Sequence, residues 1–506
     1  MLWGEQPKER PVGYGCSVAN MNGSQGRRDY FGENICIKIA VKKAPDAERE
    51  ASAFKREKFE FFLKEDEGNK VEISLMKGNV KQGEIISTEI ISIPSLKQLV
   101  KDEKVDRHID IDEDVVIKVV MSAKVDRLGT KLLLGHRLCD EEKKYIDTRL
   151  KSCLRTMAGL LKDNPPAAEI YVPRIAVMGS GGGFRAMTAF SGVMSALVRS
   201  EIADMVMYNV GLSGSAWYLS TLYSHPDWPQ KKSALDLRSE LRKGIVSSSW
   251  RILLNPKHWL SVASDYSKSQ GFSLTNVYGR IISEKFLQKR KYSTMTNQQE
   301  KVKEGSVPLP LYAALNVKRE TSAKVFHEWI EFSPFAIGMP KYGTFLQPKL
   351  FGSEFFSGRV LKEFDEFPLH FLLESEVEKS LESNTDVPEA ETAVRGDKSK
   401  TKIEMIMEQP FVDKISNDIH GRAAVVNNFM RGLQLQEYRP STKITDGLFK
   451  ELHEINPTDA EKMYLVDAGL AFNSPFPLIL RPEREVDLIL SFDFSERESD
   501  KADPFT

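Results

Sequence analysis

Two glycine-rich turns in the sequence carry residue types that acyl or phosphoryl chemistry uses. The first, Gly179–Gly183, reads Gly-Ser-Gly-Gly-Gly, follows the apolar run Ile175–Met178 and precedes a helical pattern. Consecutive glycines between a strand and a helix let backbone N–H groups converge on an anion, either a phosphate or a developing oxyanion. The turn lacks the Gly-x-Gly-x-x-Gly of a dinucleotide site and the Gly-Lys-Ser/Thr of a P-loop. Alone, it is equally compatible with an ordinary tight turn.

The second turn presents a serine. An apolar strand pattern ends at Gly211, and Leu212-Ser213-Gly214-Ser215 leads into the next helical pattern. The small neighbours permit the strained backbone that holds Ser213 Oγ above a sheet, as in a nucleophile elbow, and Ser215 is a rival nucleophile. Taken alone, this motif is also open to a purely structural reading as a Ser-Gly turn. The two turns together favour serine acyl chemistry.

A conventional triad does not suit this serine. Its chain order is Ser, acid, His, and because His453 is the last histidine, an acid beyond it could not precede a catalytic histidine. The pentapeptide is also not Gly-x-Ser-x-Gly. An acid acting directly is the remaining option, and Asp467 at the end of the apolar run Met463–Val466 suits that role. A free Asp has a pKa of about 3.9, and burial is expected to raise it towards that of a useful base. Asp467 alone would also fit an ordinary strand-terminal turn.

The surrounding sequence divides into segments that differ in composition and in hydrophobic periodicity. Residues 1–30 are polar and predict a flexible N-terminal segment, and 31–125 hold short β-type runs separated by turn residues. An amphipathic stripe over 139–162 predicts a helical linker at 126–170 that packs against the protein. Residues 171–506 predict an α/β domain. Its segment 372–410 is polar and lacks aromatic residues, which indicates a mobile insertion or lid margin.

Composition excludes several classes of protein. The 71 Lys and Arg against 72 Asp and Glu give a net charge of −1, which does not favour nucleic-acid binding. No apolar run approaches the ~18 residues of a membrane-spanning helix, and the N-terminus does not resemble a signal peptide. The four cysteines lack metal-ligand spacing and predict reduced thiols in the cytoplasm.

The residues of both turns and of Val466–Gly469 resemble those of the patatin-like Ser–Asp dyad lipid acylhydrolases. The resemblance sharpens to the cytosolic phospholipase A2 (group IV) family over four longer stretches and covers nearly all of 140–500 apart from the insertion. These stretches are Gly179–Met194, Gly211–Trp228, Trp329–Phe345 and Val466–Ser495. The resemblance implies a three-layer patatin-like/lysophospholipase α/β domain with a central, mostly parallel sheet.

Carried over by position, the resemblance also assigns roles to residues. It implies Ser213 as the nucleophile and Asp467 as its base, Gly182 and Gly183 as oxyanion donors, and Arg185 as the cation that binds the lipid phosphate. The chemistry itself would need no cofactor.

The family's N-terminal module is a calcium-dependent C2 β-sandwich, and residues 31–125 resemble a partial or degenerate copy of it. The stretch Lys77-Gly78-Asn79 places an ammonium where the family pattern has an acidic ligand. Calcium takes 6–8 oxygen ligands, usually with several carboxylates, so this departure predicts weak or absent calcium binding.

The resemblance therefore implies a cytoplasmic enzyme, recruited peripherally to membranes, that releases fatty acids from glycerophospholipids, with lysophospholipids as additional candidate substrates. The chain stops at Thr506, earlier than the family's catalytic domains, and is expected to be C-terminally truncated relative to them. Two alternatives stay open. One is an acyl transferase that uses the same acyl-enzyme, and the other is a catalytically impaired lipid-binding protein.

Overall fold

A computed structural model of the 506-residue chain describes residues 13–19, 35–41, 48–52, 58–63, 70–77, 84–92, 105–112, 115–126, 130–247, 274–317, 328–369, 371, 423–433, 458 and 460–495. The predicted insertion at 372–410 and the residues Gly78 and Asn79 lie outside these ranges. Within them, no helix combines the length and apolarity needed to span a membrane.

The N-terminal strands form two antiparallel sheets. In the described ranges, one sheet has the order β4-β1-β8-β7 and the other the order β3-β2-β5-β6. The strands are β1 (Gly13–Ala19), β2 (Ile35–Val41), β3 (Glu48–Ser52), β4 (Lys58–Leu63), β5 (Lys70–Lys77), β6 (Glu84–Ser92), β7 (Val105–Asp112) and β8 (Val115–Asp126).

Strand β1 corrects one expectation from the sequence, since it lies inside the segment 1–30 that was predicted to be flexible. Tyr14 pairs with Leu63 on one side and with Val125 on the other, so β1 is an interior strand of its sheet. Its partners lie about 50 and 110 positions away along the chain. Local composition carries no information about pairing at that range, so a polar, glycine-containing segment can still form an interior strand.

A third, larger sheet lies at the centre of the α/β region. Among the described residues it has ten strands in the order β20-β10-β11-β12-β13-β14-β15-β9, with β19 paired to β12 and β18 paired to β19. Its strands are β9 (Leu132–Leu134), β10 (Ile175–Gly179), β11 (Val206–Gly211), β12 (Leu309–Val317), β13 (Trp329–Phe332), β14 (Ile337–Met339), β15 (Thr344–Leu346), β18 (Ala424–Asn427), β19 (Lys462–Asp467) and β20 (Leu488–Phe492), and β16 (Glu354–Phe356) and β17 (Arg359–Lys362) form a separate hairpin.

This sheet is mixed, whereas the sequence predicted a mostly parallel one. Strands β20, β10, β11 and β12 are parallel to one another, and the pairings from β12 to β9 and those of β18 and β19 are antiparallel. The antiparallel part has a simple cause. Only short connections join β13, β14 and β15, and such connections cannot make the long crossover that parallel strands require. The parallel strands β10, β11 and β12 are buried along their whole length, as expected for a sheet covered on both faces.

Helices pack around this sheet. They are α1 (Asp140–Leu160), α2 (Gly183–Arg199), α3 (Gly214–Tyr223), α4 (Lys231–Val246), α5 (Leu274–Phe286), α6 (Met295–Val302) and α7 (Phe476–Ile479). Short 3-10 turns lie at Glu169–Tyr171, Ile202–Met205, Gln288–Tyr292, Pro340–Tyr342, Pro348–Leu350, Ala468–Leu470 and Pro482–Arg484.

Helix α1 has the amphipathic stripe that the sequence predicted. Ile146, Cys153 and Met157 are buried on the packed face, whereas Leu160 at its end is exposed. Buried Arg149 donates to the carbonyls of Val206, Gly305 and Ala203 at 2.9–3.1 Å, which fixes the helix against the start of β11. The segment 126–170 is more than a helical linker, because its strand β9 pairs with β15 and completes the central sheet.

Cys139 and Cys153 are free thiols. Burial raises the pKa of Cys139 to about 12 and also raises that of Cys153. Both thiols are therefore protonated at neutral pH and poor nucleophiles.

A buried ion cluster ties α1, β13 and the Pro482–Arg484 turn together. Arg484 is fully buried and donates from Nε to Glu142 at 2.9 Å and from Nη1 to Glu331 at 2.7 Å, while Arg481 donates to Glu331 at 3.2 Å. Burial raises the pKa of Glu331, but the guanidinium groups of Arg484 and Arg481 lower it more, so the pKa lies below its usual value. Each buried charge in this cluster depends on its partners.

We expect Arg484→Met to lower the free energy of unfolding by about 3–5 kcal/mol, because it leaves two buried carboxylates without their shared cation. Chemical denaturation measures this change. Lys143→Met is the matched control. It breaks an exposed ion pair with Asp140 and should change stability by less than ~1 kcal/mol. Equal losses for the two variants would contradict the prediction.

The pKa of Glu331 is lowered in the folded state, so its ionised carboxylate stabilises the fold. This contribution to the free energy of unfolding is complete above about pH 4.3 and is lost as the pH falls further.

Candidate active site

The pairing register of β12 brings the ends of β11 and β19 together. Tyr312 pairs with Gly211 on one edge of β12 and with β13 on the other, and Ala314 pairs with Asp467 and likewise with β13. Because a residue has one partner on each edge, β11 and β19 lie on the same edge of β12, and they run towards each other. Their last residues are two positions apart along β12, which is about 7 Å. Ser213 and Asp467 are thus placed at one point of the sheet.

Ser213 occupies a strained turn at the start of α3. Its backbone has φ 50° and ψ −125°, in a region that non-glycine residues rarely adopt, and only 2% of the residue is exposed. Small residues make this turn possible. A Cβ at Gly211 would lie 2.8 Å from the amide nitrogen of Ala216, and a Cβ at Gly214 would overlap the carbonyl oxygen of Gly183. The strand–turn–helix context matches the elbow geometry that the sequence predicted.

The rival serine has a different environment. Ser215 is fully buried in the first turn of α3, and its Oγ donates to the carbonyl of Ser180 at 2.7 Å. This bond links the serine turn to the glycine turn beneath the site. Ser215 therefore connects the two turns, and Ser213 is the serine at the strained position.

The glycine turn leaves β10 beside the serine turn, since Gly179 and Gly211 are paired residues of adjacent parallel strands. Gly182 and Gly183 have φ values of 148° and 54°, which glycine adopts without a steric penalty. Gly183 is the first residue of α2, so its N–H belongs to the first turn, where helix geometry provides no intrahelical acceptor. The turn thus places amide donors and the positive end of the helix dipole next to Ser213.

Asp467 ends β19 and is fully buried. Its Oδ1 accepts a hydrogen bond of 2.8 Å from the N–H of Gly469, which caps the short 3-10 turn that follows. This contact fixes the carboxylate at the strand end beside Ser213. Local capping residues of this kind are common, and only the register of β12 relates Asp467 to the serine.

Arg185 lies on the exposed side of the glycine turn. Its Nε donates to the carbonyl of Phe494 at 2.9 Å, so the guanidinium is oriented by the segment that follows β20. On another side of the turn, the Phe184 ring packs against the rings of Trp217 and Phe286 with centroids 5.6 and 5.7 Å apart. The turn therefore lies between a cation and an apolar aromatic cluster.

A polar network that the sequence did not reveal braces the glycine turn. Asp493 Oδ1 accepts hydrogen bonds from Ser180 Oγ and from Ser495, and the N–H of Phe494 donates to Ser180 Oγ at 2.7 Å. Asn473 Nδ2 donates to the carbonyl of Gly181 and to Ser495 Oγ. Asn473 and Asp493 are 292 and 313 positions from their partners Gly181 and Ser180 and have no spacing pattern with them. The only sequence signal of Asn473, Asp493 and Ser495 is that they fall inside the stretch Val466–Ser495.

The predicted calcium stretch is described only at Lys77, which is exposed and ends β5. Across the described ranges, no group of three or more His, Cys, Asp or Glu residues lies close enough to hold a metal ion.

Comparison with known proteins identifies the family of this α/β region. Residues 175–505 match the family model described as the lysophospholipase catalytic domain. The chain belongs to this lysophospholipase family. The match spans β10 to the segment after β20 and so includes both turns, Asp467 and the bracing residues.

Individual relatives of this lysophospholipase-family chain agree with that result. The chain is 33% identical over 443 residues to cytosolic phospholipase A2 zeta of Mus musculus, an alignment that covers 79% of this chain and 51% of the relative. The chain thus spans about half the length of that curated relative. The family resemblance stated from the sequence is confirmed.

Solved structures confirm the fold class. Human GIVD cytosolic phospholipase A2 superimposes with a TM-score of 0.72 at 22% identity, covering 95% of this chain and 63% of the human one. The same protein in complex with methyl gamma-linolenyl fluorophosphonate gives a TM-score of 0.67 at 22% identity, covering 96% and 61%. Because 95% of this chain is covered, the match includes most of the N-terminal β unit, strands β1 to β8, as well as the lysophospholipase catalytic fold.

We expect Gly214→Ala to lower the free energy of unfolding by about 1–3 kcal/mol, because the new methyl group overlaps the backbone of Gly183 and neither turn can move without breaking its strand pairing. Gly192→Ala is the matched control. A Cβ there meets no atom within 4 Å, so this substitution in the middle of α2 should stabilise the protein by about 0.5–1 kcal/mol. Denaturant unfolding of both variants measures the difference, and effects of the same sign would refute the packing of the two turns.

Proposed function

We propose that this chain is a phospholipase A2-like hydrolase that releases fatty acids from membrane glycerophospholipids, with lysophospholipids as further substrates, through an acyl-enzyme on Ser213. The observation that carries the proposal is the meeting of three chain segments at one point: the strained Ser213 turn, the glycine turn and the end of β19 at Asp467. The family membership and the relatives' names, which are those of cytosolic phospholipases A2, support this substrate class.

In the first half of the reaction, Ser213 Oγ attacks the carbonyl carbon of the ester while its proton moves to the Asp467 carboxylate. The carbonyl oxygen becomes an oxyanion that faces the N–H groups of Gly182 and Gly183, which stabilise it most when its charge is greatest. The intermediate collapses, the C–O bond to the glycerol breaks, and the leaving alkoxide takes the proton from Asp467. The product that departs is the lysophospholipid alcohol.

In the second half, water attacks the acyl-Ser213 ester and gives its proton to Asp467. The same amide donors stabilise the second oxyanion, and its collapse returns the proton to Ser213 as the fatty acid leaves. An alcohol or amine in place of this water would yield an acylated acceptor. Apart from the substrate and the water or other acceptor, the groups that act in these steps belong to the chain itself.

Lipid binding is assigned to the two sides of the glycine turn. Arg185 suits a phosphodiester because its planar guanidinium offers paired N–H donors. Phe184, which is half-buried against the rings of Trp217 and Phe286, offers apolar surface for an acyl chain. We further propose that the protein acts in the cytoplasm at the membrane surface, with the N-terminal β unit aiding attachment and with weak or absent dependence on calcium.

We expect Ser213→Ala and Asp467→Asn each to reduce fatty-acid release from phosphatidylcholine vesicles by at least about 10³-fold, since one removes the nucleophile and the other its base. The matched control is Ser195→Ala. Ser195 is equally buried but only donates to Ser191 within α2, so its loss should leave the rate unchanged. Intact-protein mass spectrometry after treatment with methyl gamma-linolenyl fluorophosphonate should show one adduct in the wild type and none in Ser213→Ala.

Each result of this assay decides a separate part of the proposal. Release that persists in Ser213→Ala would refute the assigned nucleophile, and vesicle binding without any release by the folded wild type would favour a lipid-binding protein. Acylated acceptor formed in preference to free acid, when an amine is added, would favour a transacylase. Repeating the assay with calcium and with a chelator tests the expected calcium independence.

We expect Arg185→Gln to lower kcat/KM for phosphatidylcholine by about 10- to 100-fold through KM, because a charged hydrogen-bonding partner of the phosphate is lost. A monoacylglycerol substrate lacks the phosphate and should be hydrolysed at nearly the same rate by both proteins. For phosphatidylcholine, the kcat/KM of Arg185→Lys should lie between those of the wild type and Arg185→Gln, since lysine keeps the charge without the paired donors. Equal losses on both substrates would show that Arg185 acts on the turn and not on the phosphate.

A further inference from the structure

Asn473 is hydrogen-bonded to the glycine turn through both its backbone and its side chain. Its backbone carbonyl accepts a hydrogen bond of 3.4 Å from the N–H of Gly181, and its side-chain Nδ2 donates back to the carbonyl of Gly181 at 3.3 Å. The same Nδ2 donates to Ser495 Oγ at 2.6 Å, and Ser495 is in turn bound to Asp493. Both polar groups of the Gly181 backbone are therefore held by one residue.

The carboxamide of Asn473 also lies against the nucleophile's side of the turn. A Cβ at Gly181 would overlap Asn473 Oδ1 and would lie 3.1 Å from the Cβ of Ser213. Glycine at 181 is thus required by the close approach of Asn473 and Ser213 to the same face of the turn. Any shift of the Asn473 side chain would move Gly181 and, with it, the following two amides.

The hydrogen bonding of this carboxamide is incomplete. Among the described residues, no donor reaches Asn473 Oδ1, although that atom is buried. A buried acceptor without a donor destabilises a fold, so an apolar side chain of similar shape would serve stability as well or better. What the amide provides that an apolar group cannot is the Nδ2 donor to Gly181 and Ser495.

We propose that Asn473 is a positioning residue that holds Gly181 so that the amides of Gly182 and Gly183 point at the developing oxyanion. Asn473 follows Asp467 by six residues across one short 3-10 turn, so the same segment fixes the proposed base and orients the proposed donors. This inference rests on the proposed acyl-enzyme function. It adds a residue that acts through the glycine turn and does not touch the substrate.

The test replaces Asn473 by leucine, which keeps the shape and removes the donor. We expect Asn473→Leu to lower kcat for phosphatidylcholine by about 10- to 100-fold, less than the 10²- to 10³-fold that loss of a whole oxyanion donor costs. KM should stay within about twofold and the thermal midpoint should not fall. Labelling by the fluorophosphonate should slow in proportion to kcat, because that reaction also develops negative charge on an oxygen beside Ser213.

Asn428→Leu is the matched control. Asn428 likewise uses Nδ2 to hold a backbone carbonyl, that of Ala460 at 2.8 Å, but it lies near the start of β19, at the end of the strand remote from Asp467. It should lower stability without lowering kcat. If Asn473→Leu does not fold, Ser495→Ala removes one partner of Nδ2 and should lower kcat in the same direction by a smaller factor.

Unchanged kcat in Asn473→Leu would overturn the inference, as would a rise in KM at constant kcat, which would indicate substrate contact. A fall in kcat that is matched by a fall in the thermal midpoint would show a structural role alone and would also overturn it. The proposed function fails separately, if wild-type release does not depend on Ser213, and the inference then fails with it.

Discussion

The site depends on one edge of β12 being shared by two strands that meet end to end. The parallel strand β11 occupies the first half of that edge and the antiparallel strand β19 the second. This arrangement requires a mixed sheet. If β19 ran parallel to β12 on that edge, it would run away from the end of β11, and its last residue, Asp467, would lie far from Ser213. Backbone hydrogen bonds therefore set the distance between the serine and the carboxylate, and no flexible side chain has to span a gap. The same pairing lets a carboxylate lie beside Ser213, the proposed nucleophile, without an intervening histidine.

The strain at Ser213 has to be offset by the structure that follows it. A non-glycine residue in such a backbone region costs about 1–3 kcal/mol. Helix α3 begins at the next residue, and all ten of its residues are buried. At roughly 1.5–3 kcal/mol for each large apolar side chain, burial of Trp217, Leu219 and Leu222 alone outweighs the strain. The turn is also fixed from the other side by Ser215, whose hydroxyl binds the carbonyl of Ser180. Strain is thus localised at Ser213 while its surroundings are well packed.

Local sequence patterns predicted the features that are determined by residues adjacent to one another along the chain. A strand–glycine–helix turn, a serine between small residues and an amphipathic stripe are each properties of a few consecutive residues, and the structure has all three where they were expected. Strand β1, the pairing of β12 with β19 and the bonds of Asn473 and Asp493 depend on partners tens to hundreds of positions away. The sequence pattern of Asp467 shows only a buried strand that ends in an acid. Its closeness to Ser213 follows from pairing with β12, which no spacing in the sequence encodes.

The directions of the helices give the site its electrostatic character. Helix α2 begins at Gly183 and helix α3 at Gly214, and the carbonyl of Gly183 lies against the Cα of Gly214. The positive ends of two helix dipoles therefore converge where a bound carbonyl oxygen would become negative. Asp467 approaches from the third direction, at the end of a strand, and its Oδ1 accepts a hydrogen bond from the N–H of Gly469. The proposed base thus has a backbone donor of its own. The amides of the glycine turn are the proposed oxyanion donors, and a donor of fixed orientation stabilises developing charge without reorganising.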